Sequence, residues 1–192
     1  MSRPKEFVET DVLEKAVKLF SQKGYNGISM QDLVDGLKLN RSSIYDTFGD
    51  KEQLFVAALK HYRQAYTQKM LDIIKESEDI KTTIKELLQY IQQDVAENKK
   101  TGCMMVNTAV EMTGMEPFIS NIVQENMDVI EKALEEKIQS AQKNGIIAKK
   151  HSAKALSRQL TNTINGLRIS EKLGVERNHY SDVMEVTMSL FD

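Results

Sequence analysis

Arg41, Ser42, Ser43, Tyr45 and Lys51 stand close together in the stretch LNRSSIYDTFGDKEQL, and each ends in a hydrogen-bond donor. Arg41 offers a planar fork that suits a guanine edge or a phosphate. The two serines are small hydroxyl donors that allow a backbone to come close. Tyr45 brings a ring and a hydroxyl, and Lys51 a point charge. Donors of this kind, gathered at the start of a short segment, suit a polyanion whose edges can be read.

Such donors must be held by rigid elements. Val12, Ala16 and Leu19/Phe20 repeat at helical spacing, predicting a helix from about Thr10 to Lys23 that Gly24 ends. Ser29 caps a second helix with Leu33, Val34 and Leu37 facing inward. Asn40 is a favoured N-cap for a short third helix, which Ile44 and Phe48 pin from behind and Gly49 closes. Asp50, with Gln53 three residues on, caps a fourth helix. Its buried stripe reads Leu54, Ala58, Tyr62 and Ala65, running to about Ile74. Lys51 then sits at a helix N-terminus, where free N–H groups favour phosphate. Two helices joined by a tight turn, the second short and polar outside, make a helix-turn-helix. By spacing alone, a purely structural three-helix cap fits as well.

The chain has 192 residues, 41% hydrophobic and 28% charged, with two prolines and nine glycines, and reads as helical throughout. Its net charge is −2, and acids slightly outnumber bases over residues 1–52, so nucleic-acid binding needs a local patch. Arg3 and Lys5 on an N-terminal arm, with Lys38, Arg41 and Lys51, supply one. No apolar run suits a membrane span and no signal-peptide core opens the chain, so a cytoplasmic protein is expected. One cysteine, Cys103, excludes an internal disulfide; His61, His151 and His179 lie far apart, so neither metal nor cofactor is expected. No Ser-His-Asp or Cys-His grouping and no glycine-rich phosphate loop suggests an enzyme.

Beyond the polar stretch Lys75–Asp79, the Ile80, Ile84, Leu87/Leu88, Ile91 and Val95 pattern predicts another helix. A short apolar helix from Cys103 to Met112 follows, then a long one from Pro117 to about Asn144. The last two span about Ser152–Leu173 and Asn178–Phe191. The former carries Ala153, Leu156, Leu160, Ile164 and Leu167. The latter is apolar on two adjoining stripes, Val183-Val186-Leu190 and Met184-Met188-Phe191. Two stripes suggest burial on both sides, either between subunits or deep in a core.

From Ser29 to Leu54, with matching features back to Val12-Leu13, the chain resembles the tetracycline-repressor (TetR) family of bacterial transcription regulators. The matching features include Gly24-Tyr25, Ser29, Leu33-Val34, Leu39 and Ile44-Tyr45-x-x-Phe48-x-x-Lys51-Glu52-x-Leu54. The resemblance implies an all-α homodimer without catalytic role: a helix-turn-helix domain over 1–50, a connecting helix over 51–74, and a ligand-sensing and dimerisation domain over 75–192. It implies a repressor of a near-palindromic double-stranded DNA operator, released by a small-molecule effector. The DNA-binding residues would be Ser29, Lys38, Asn40, Arg41, Ser42, Ser43, Tyr45, Thr47 and Lys51. Lys38 stands where the family usually has glycine, and Asp46 and Thr47 replace larger basic or aromatic residues. The stripe Leu156, Leu160, Ile164 and Leu167, with Val183, Val186 and Leu190, would form the dimer interface.

The segment GCMMVNTAVEM resembles one found in a large branch of the family. It implies an effector cavity lined by Cys103, Met104, Asn107, Thr108, Glu111, Met112 and Met127, with Met105 and Met115 nearby. Asn107 and Glu111, four apart, share a helical face and can offer one polar head. The alternative is that these methionines are core and the polar pair faces solvent. Cys103 is either a small buried hydrophobe or, at a helix N-terminus beside Lys99 and Lys100, a sensor of oxidants or alkylating agents. A helical interaction module whose helix-turn-helix is only structural is the competing function; loss of DNA binding on replacing Arg41, Tyr45 and Lys51 separates the two.

Overall fold

In the computed structural model, which describes residues 7–98, 101–112 and 117–192, the first apolar repeat folds as α1 (Glu9–Gly27), burying Val12, Ala16, Val17 and Phe20. Gly24 breaks it, with φ 73° and ψ 171°. That dihedral pair turns the next N–H groups out of the helix. α2 (Met30–Leu37) opens on a capping box: Ser29 Oγ accepts from Asp32 N–H, and Asp32 accepts from Ser29 N–H. Hydrogen bonds from the Lys23 and Ser29 side chains hold the Asp32 carboxyl well below the usual carboxylate range. A Cβ on Gly36 would come within 2.6 Å of Leu19, so glycine there lets α1 and α2 close.

α3 (Arg41–Phe48) buries Ile44 completely, and α4 (Lys51–Tyr62) buries Leu54, Phe55, Ala58 and Leu59 beneath it. Each of the buried Ile, Leu and Phe side chains stabilises by about 1.5–3 kcal/mol. Asp50 and Gln53 form the expected capping box. The connecting rod then departs from its sequence pattern. Residues Arg63–Thr67 form a π turn before α5 (Gln68–Glu76) resumes, with Gln68 N–H reaching back to Arg63 O. The wider turn inserts one residue, which moves the inward position after Tyr62 from 66 to Thr67, and Ala65, expected inside, is exposed. Thr67 Oγ donates to Asn126 Oδ1 at 2.8 Å, which satisfies both buried groups.

The rest comprises α6 (Ile80–Asn98), α7 (Met104–Met112), α8 (Pro117–Lys143), α9 (Ala153–Leu173) and α10 (Arg177–Ser189). Among the described residues there is no strand, and no helix is long and apolar enough to cross a membrane. Two apolar clusters hold the chain. The first joins α1–α4 to Met104 and Met105 of α7 and to Ile119, Ile122 and Val123 of α8. The second packs α5, α6, α8, α9 and α10 around Ile84, Leu87, Leu134 and Ile138.

This second cluster corrects one expectation. Leu156, Leu160, Ile164 and Leu167 are at most 4% exposed within a single chain. They face their own core, because the inner side of α9 lies on α8, and they are not free to meet a partner. Val183 is half-buried against the same core, whereas Val186 (67% exposed) and Leu190 (38%) point outward. On the outer side of α9, Ile169 and Leu173 are exposed too.

Candidate nucleic-acid interface

The short α3 is built to show one face. Asn40 Oδ1 accepts from the Ser43 N–H and the Ser42 hydroxyl, both at 2.8 Å, so its side chain ties the helix start and orients Ser42. Ile44 faces the core, which rotates Arg41, Ser42, Tyr45 and Asp46 to the exposed side. Tyr45 is 45% exposed, which leaves its ring and hydroxyl free to meet a partner. Ser43 and Thr47 flank this face, half-buried. Ser29 is exposed, with its hydroxyl engaged in the α2 capping box. Arg3 and Lys5 lie outside the described residues.

Lys38, in the turn, has φ 57° and ψ 38°, the left-handed conformation that glycine adopts freely. It is exposed and adds a positive charge beside the α3 N-terminus. Replacing Lys38 by glycine is expected to raise stability by up to about 1 kcal/mol in thermal denaturation, by relieving backbone strain. The same change should weaken DNA binding and flatten its salt dependence, since one phosphate-attracting charge is gone.

Lys51, the first residue of α4, is half-buried, and its Nζ lies 4.5 Å from the centroid of the Tyr25 ring. Tyr25 leans on Phe55, centroid to centroid 5.0 Å. Sequence reasoning missed Tyr25: the Gly24-Tyr25 pair was visible, but its partner is a tertiary neighbour.

The residues expected around an effector lie mostly along α7 and face different neighbours. Met104 and Met105 are buried in the cluster shared with α1–α4, and Met127 is partly buried against it. Thr108 Oγ donates to the Met104 carbonyl within α7. Cys103 is half-buried, with the Tyr62 hydroxyl donating to its Sγ at 3.2 Å. Met115 and the Met112 side chain lie outside the described residues. Asn107 donates to the Ser21 and Thr101 carbonyls at 3.2 and 2.9 Å. Glu111 accepts from the N–H groups of Tyr25 and Asn26, at 2.9 and 2.7 Å. The polar pair shares a face as expected, but that face seats on α1 instead of a cavity. A cleft of about 340 Å³ lies elsewhere, between the π turn and α8, lined by Lys60, Arg63, Gln64, Thr67, Gln68, Leu71 and Val129.

Comparison with known proteins decides what this arrangement is. Residues 12–58 match the family model described as bacterial regulatory proteins, tetR family, and residues 77–187 match that of the tetracycline repressor-like C-terminal domain. The chain belongs to the TetR family. It is thus a helix-turn-helix transcriptional regulator, which selects the DNA-binding reading over an interaction module. The regulator is similar to YezE, an uncharacterised HTH-type transcriptional regulator of Bacillus subtilis strain 168, at 26% identity over the whole of both chains. It is also 26% identical to the HTH-type transcriptional repressor ComR of Escherichia coli K12, over 98% of this chain and 91% of ComR. Among solved structures, a cysteine mutant of the TetR family regulator CifR, complexed with a 26-bp operator duplex, superposes with a TM-score of 0.84. That alignment covers all of both chains at 21% identity, so it speaks to the fold. The reduced form of E. coli NemR superposes at 0.79, covering 96% of this chain and 98% of NemR at 18% identity.

Proposed function

We propose that this regulator is a dimeric repressor that reads a near-palindromic operator through α3 and leaves it when a small-molecule effector binds. The observation that carries the reading is the outward face of α3, where exposed Arg41, Ser42 and Tyr45 stand over a fully buried Ile44. Arg41 reaches a base edge or phosphate; Ser42, Ser43, Tyr45, Thr47 and Lys51 hold the backbone, while Asn40 and Ser29 hold the helix ends. Lys38 adds field. Two copies on one duplex read two half-sites about one helical turn apart.

Dimerisation is assigned to the outer faces of α9 and α10. Ile169, Leu173, Val186 and Leu190 are exposed apolar residues there. Gly166 supports the assignment, since a Cβ at that position would meet nothing within 4 Å. Among the described residues nothing crowds this mid-helix glycine, which costs about 1 kcal/mol there, and close approach of a second helix would give it a use. For the effector, the cleft beside the π turn has the volume of a small-molecule site, with Lys60 on its wall and Arg63 paired there with Glu125 at 3.2 Å. Occupancy there would act on the rod that leads to α3.

Selection of bound fragments from a random duplex pool tests the reading. Enrichment of one near-palindrome by the wild type supports it; no enrichment by effector-free protein overturns it. Asp46, exposed on α3, sharpens the test. Asp46→Ala is expected to relax preference at a single base-pair position, as loss of an acceptor for cytosine N4 would. Equal tightening on every sequence would show instead that Asp46 only repels phosphate. A second reading, release by oxidation or alkylation at Cys103, draws on the Tyr62 hydrogen bond to its sulfur. An oxidant response unchanged in Cys103→Ser removes it.

A further inference from the structure

We propose that Glu111, from the C-terminal half of the chain, positions the Lys51 ammonium for the operator, acting through the Gly24–Asn26 turn and the Tyr25 ring. The proposal rests on the reading of Lys51 as a phosphate contact.

The argument starts with a broken helix. In an uninterrupted α1 the Ser21 carbonyl would accept from the Tyr25 N–H, four residues on. The Gly24 dihedrals separate the two groups, and α7 takes both. Asn107 Nδ2 donates to the Ser21 carbonyl, and Glu111 Oε2 accepts the Tyr25 N–H, while Glu111 Oε1 takes that of Asn26. The four-residue spacing of Asn107 and Glu111 on α7 thus matches the four-residue spacing it replaces on α1. The carboxylate occupies room that only glycine leaves: a Cβ on Gly24 would lie 2.6 Å from Glu111 Oε2. A carboxylate holding two backbone N–H groups is a strong and directional tie.

The turn so fixed carries the Tyr25 ring, and the ring carries Lys51. As the first residue of α4, Lys51 places its charge at the positive end of a helix dipole, an unfavourable place for a cation. The Tyr25 face, 4.5 Å from Nζ, offsets this and directs the ammonium. Phe55, tilted against Tyr25, keeps the ring from swinging away. A shift of α7 therefore moves a DNA-facing charge with no need to deform α3. Glu111 is a positioning residue in this sense: it touches no DNA itself.

The test uses the full-length protein and the operator duplex that the wild type recovers from the random pool. Affinity is measured across a potassium chloride series for Glu111→Gln, Lys51→Ala and the double variant. Glu111→Gln keeps the side-chain size and removes one of the two acceptor oxygens. It is expected to weaken binding about two- to fivefold, the effect of losing an exposed cation–ring contact. It should also lower the salt slope toward that of Lys51→Ala, and the double variant should bind as Lys51→Ala does. A structural role alone would lower the melting temperature and multiply with Lys51→Ala; that result, or a wild-type affinity and slope, overturns the proposal. Should Glu111→Gln unfold, Tyr25→Leu enters the same cycle, because it removes the ring and leaves the backbone bonds to Glu111. Failure of the wild type to enrich any operator would overturn the DNA-contact reading itself, and this proposal with it.

Discussion

The variant Arg41→Ala, Tyr45→Ala, Lys51→Ala is expected to lose operator binding by about a thousandfold or more, while it stays folded and dimeric. Arg41 contributes base-edge discrimination worth about 1–3 kcal/mol if it reaches guanine. On the proposed reading Tyr45 and Lys51 both contact phosphates, and the Lys51 charge alone adds about one unit to the slope of affinity against salt. Their joint removal brings binding down to the non-specific level, which lies about 10³ or more below specific binding. Stability should change by only about 0.5 kcal/mol, since Arg41 and Tyr45 are exposed and Lys51 is lost from an unfavourable helix end. Fluorescence anisotropy on the selected operator, beside a thermal melt, measures both quantities. A triple variant that bound within tenfold of wild type would remove α3 as the reading helix.

The second large effect concerns α9 and α10. Ile169→Asp with Val186→Asp is expected to give folded monomers in sedimentation, with operator binding lost because one subunit grips only one half-site. Both positions are about half or more exposed in the single chain, so a carboxylate there is solvated until a partner covers it. Burying four such charges across a symmetric interface would cost several kcal/mol. Leu160→Asp should behave differently. Leu160 is 1% exposed inside its own chain, so its replacement is expected to unfold the protein. A dimer that survives Ile169→Asp, Val186→Asp would move the interface elsewhere. A folded monomer from Leu160→Asp would restore the inner stripe as the interface.

The two halves of this regulator differ in how much of them could be read in advance. The sequence by itself determined the helices, their caps and the recognition helix, because those signals are local. Ser29 and Asp32, Asn40 and Ser43, or Asp50 and Gln53 each satisfy a helix end within three residues. Ile44 likewise declares its buried side by its spacing from Phe48, and with it the exposed side of Tyr45. Even Lys38 was marked, since its turn position calls for positive φ. Helical spacing also showed that Asn107 and Glu111 share a face, and that the last helix bears two apolar stripes. It could not say what each face meets. Only the tertiary structure decided that the polar pair seats on the broken end of α1, and that Leu156, Leu160, Ile164 and Leu167 fill their own core. Likewise the π turn, which hides Thr67 and exposes Ala65, answers to Asn126 on another helix. Periodicity fixes which side chains point the same way, because that is backbone geometry. What lies opposite them is set by contacts between residues far apart in the chain, and no local pattern carries that information.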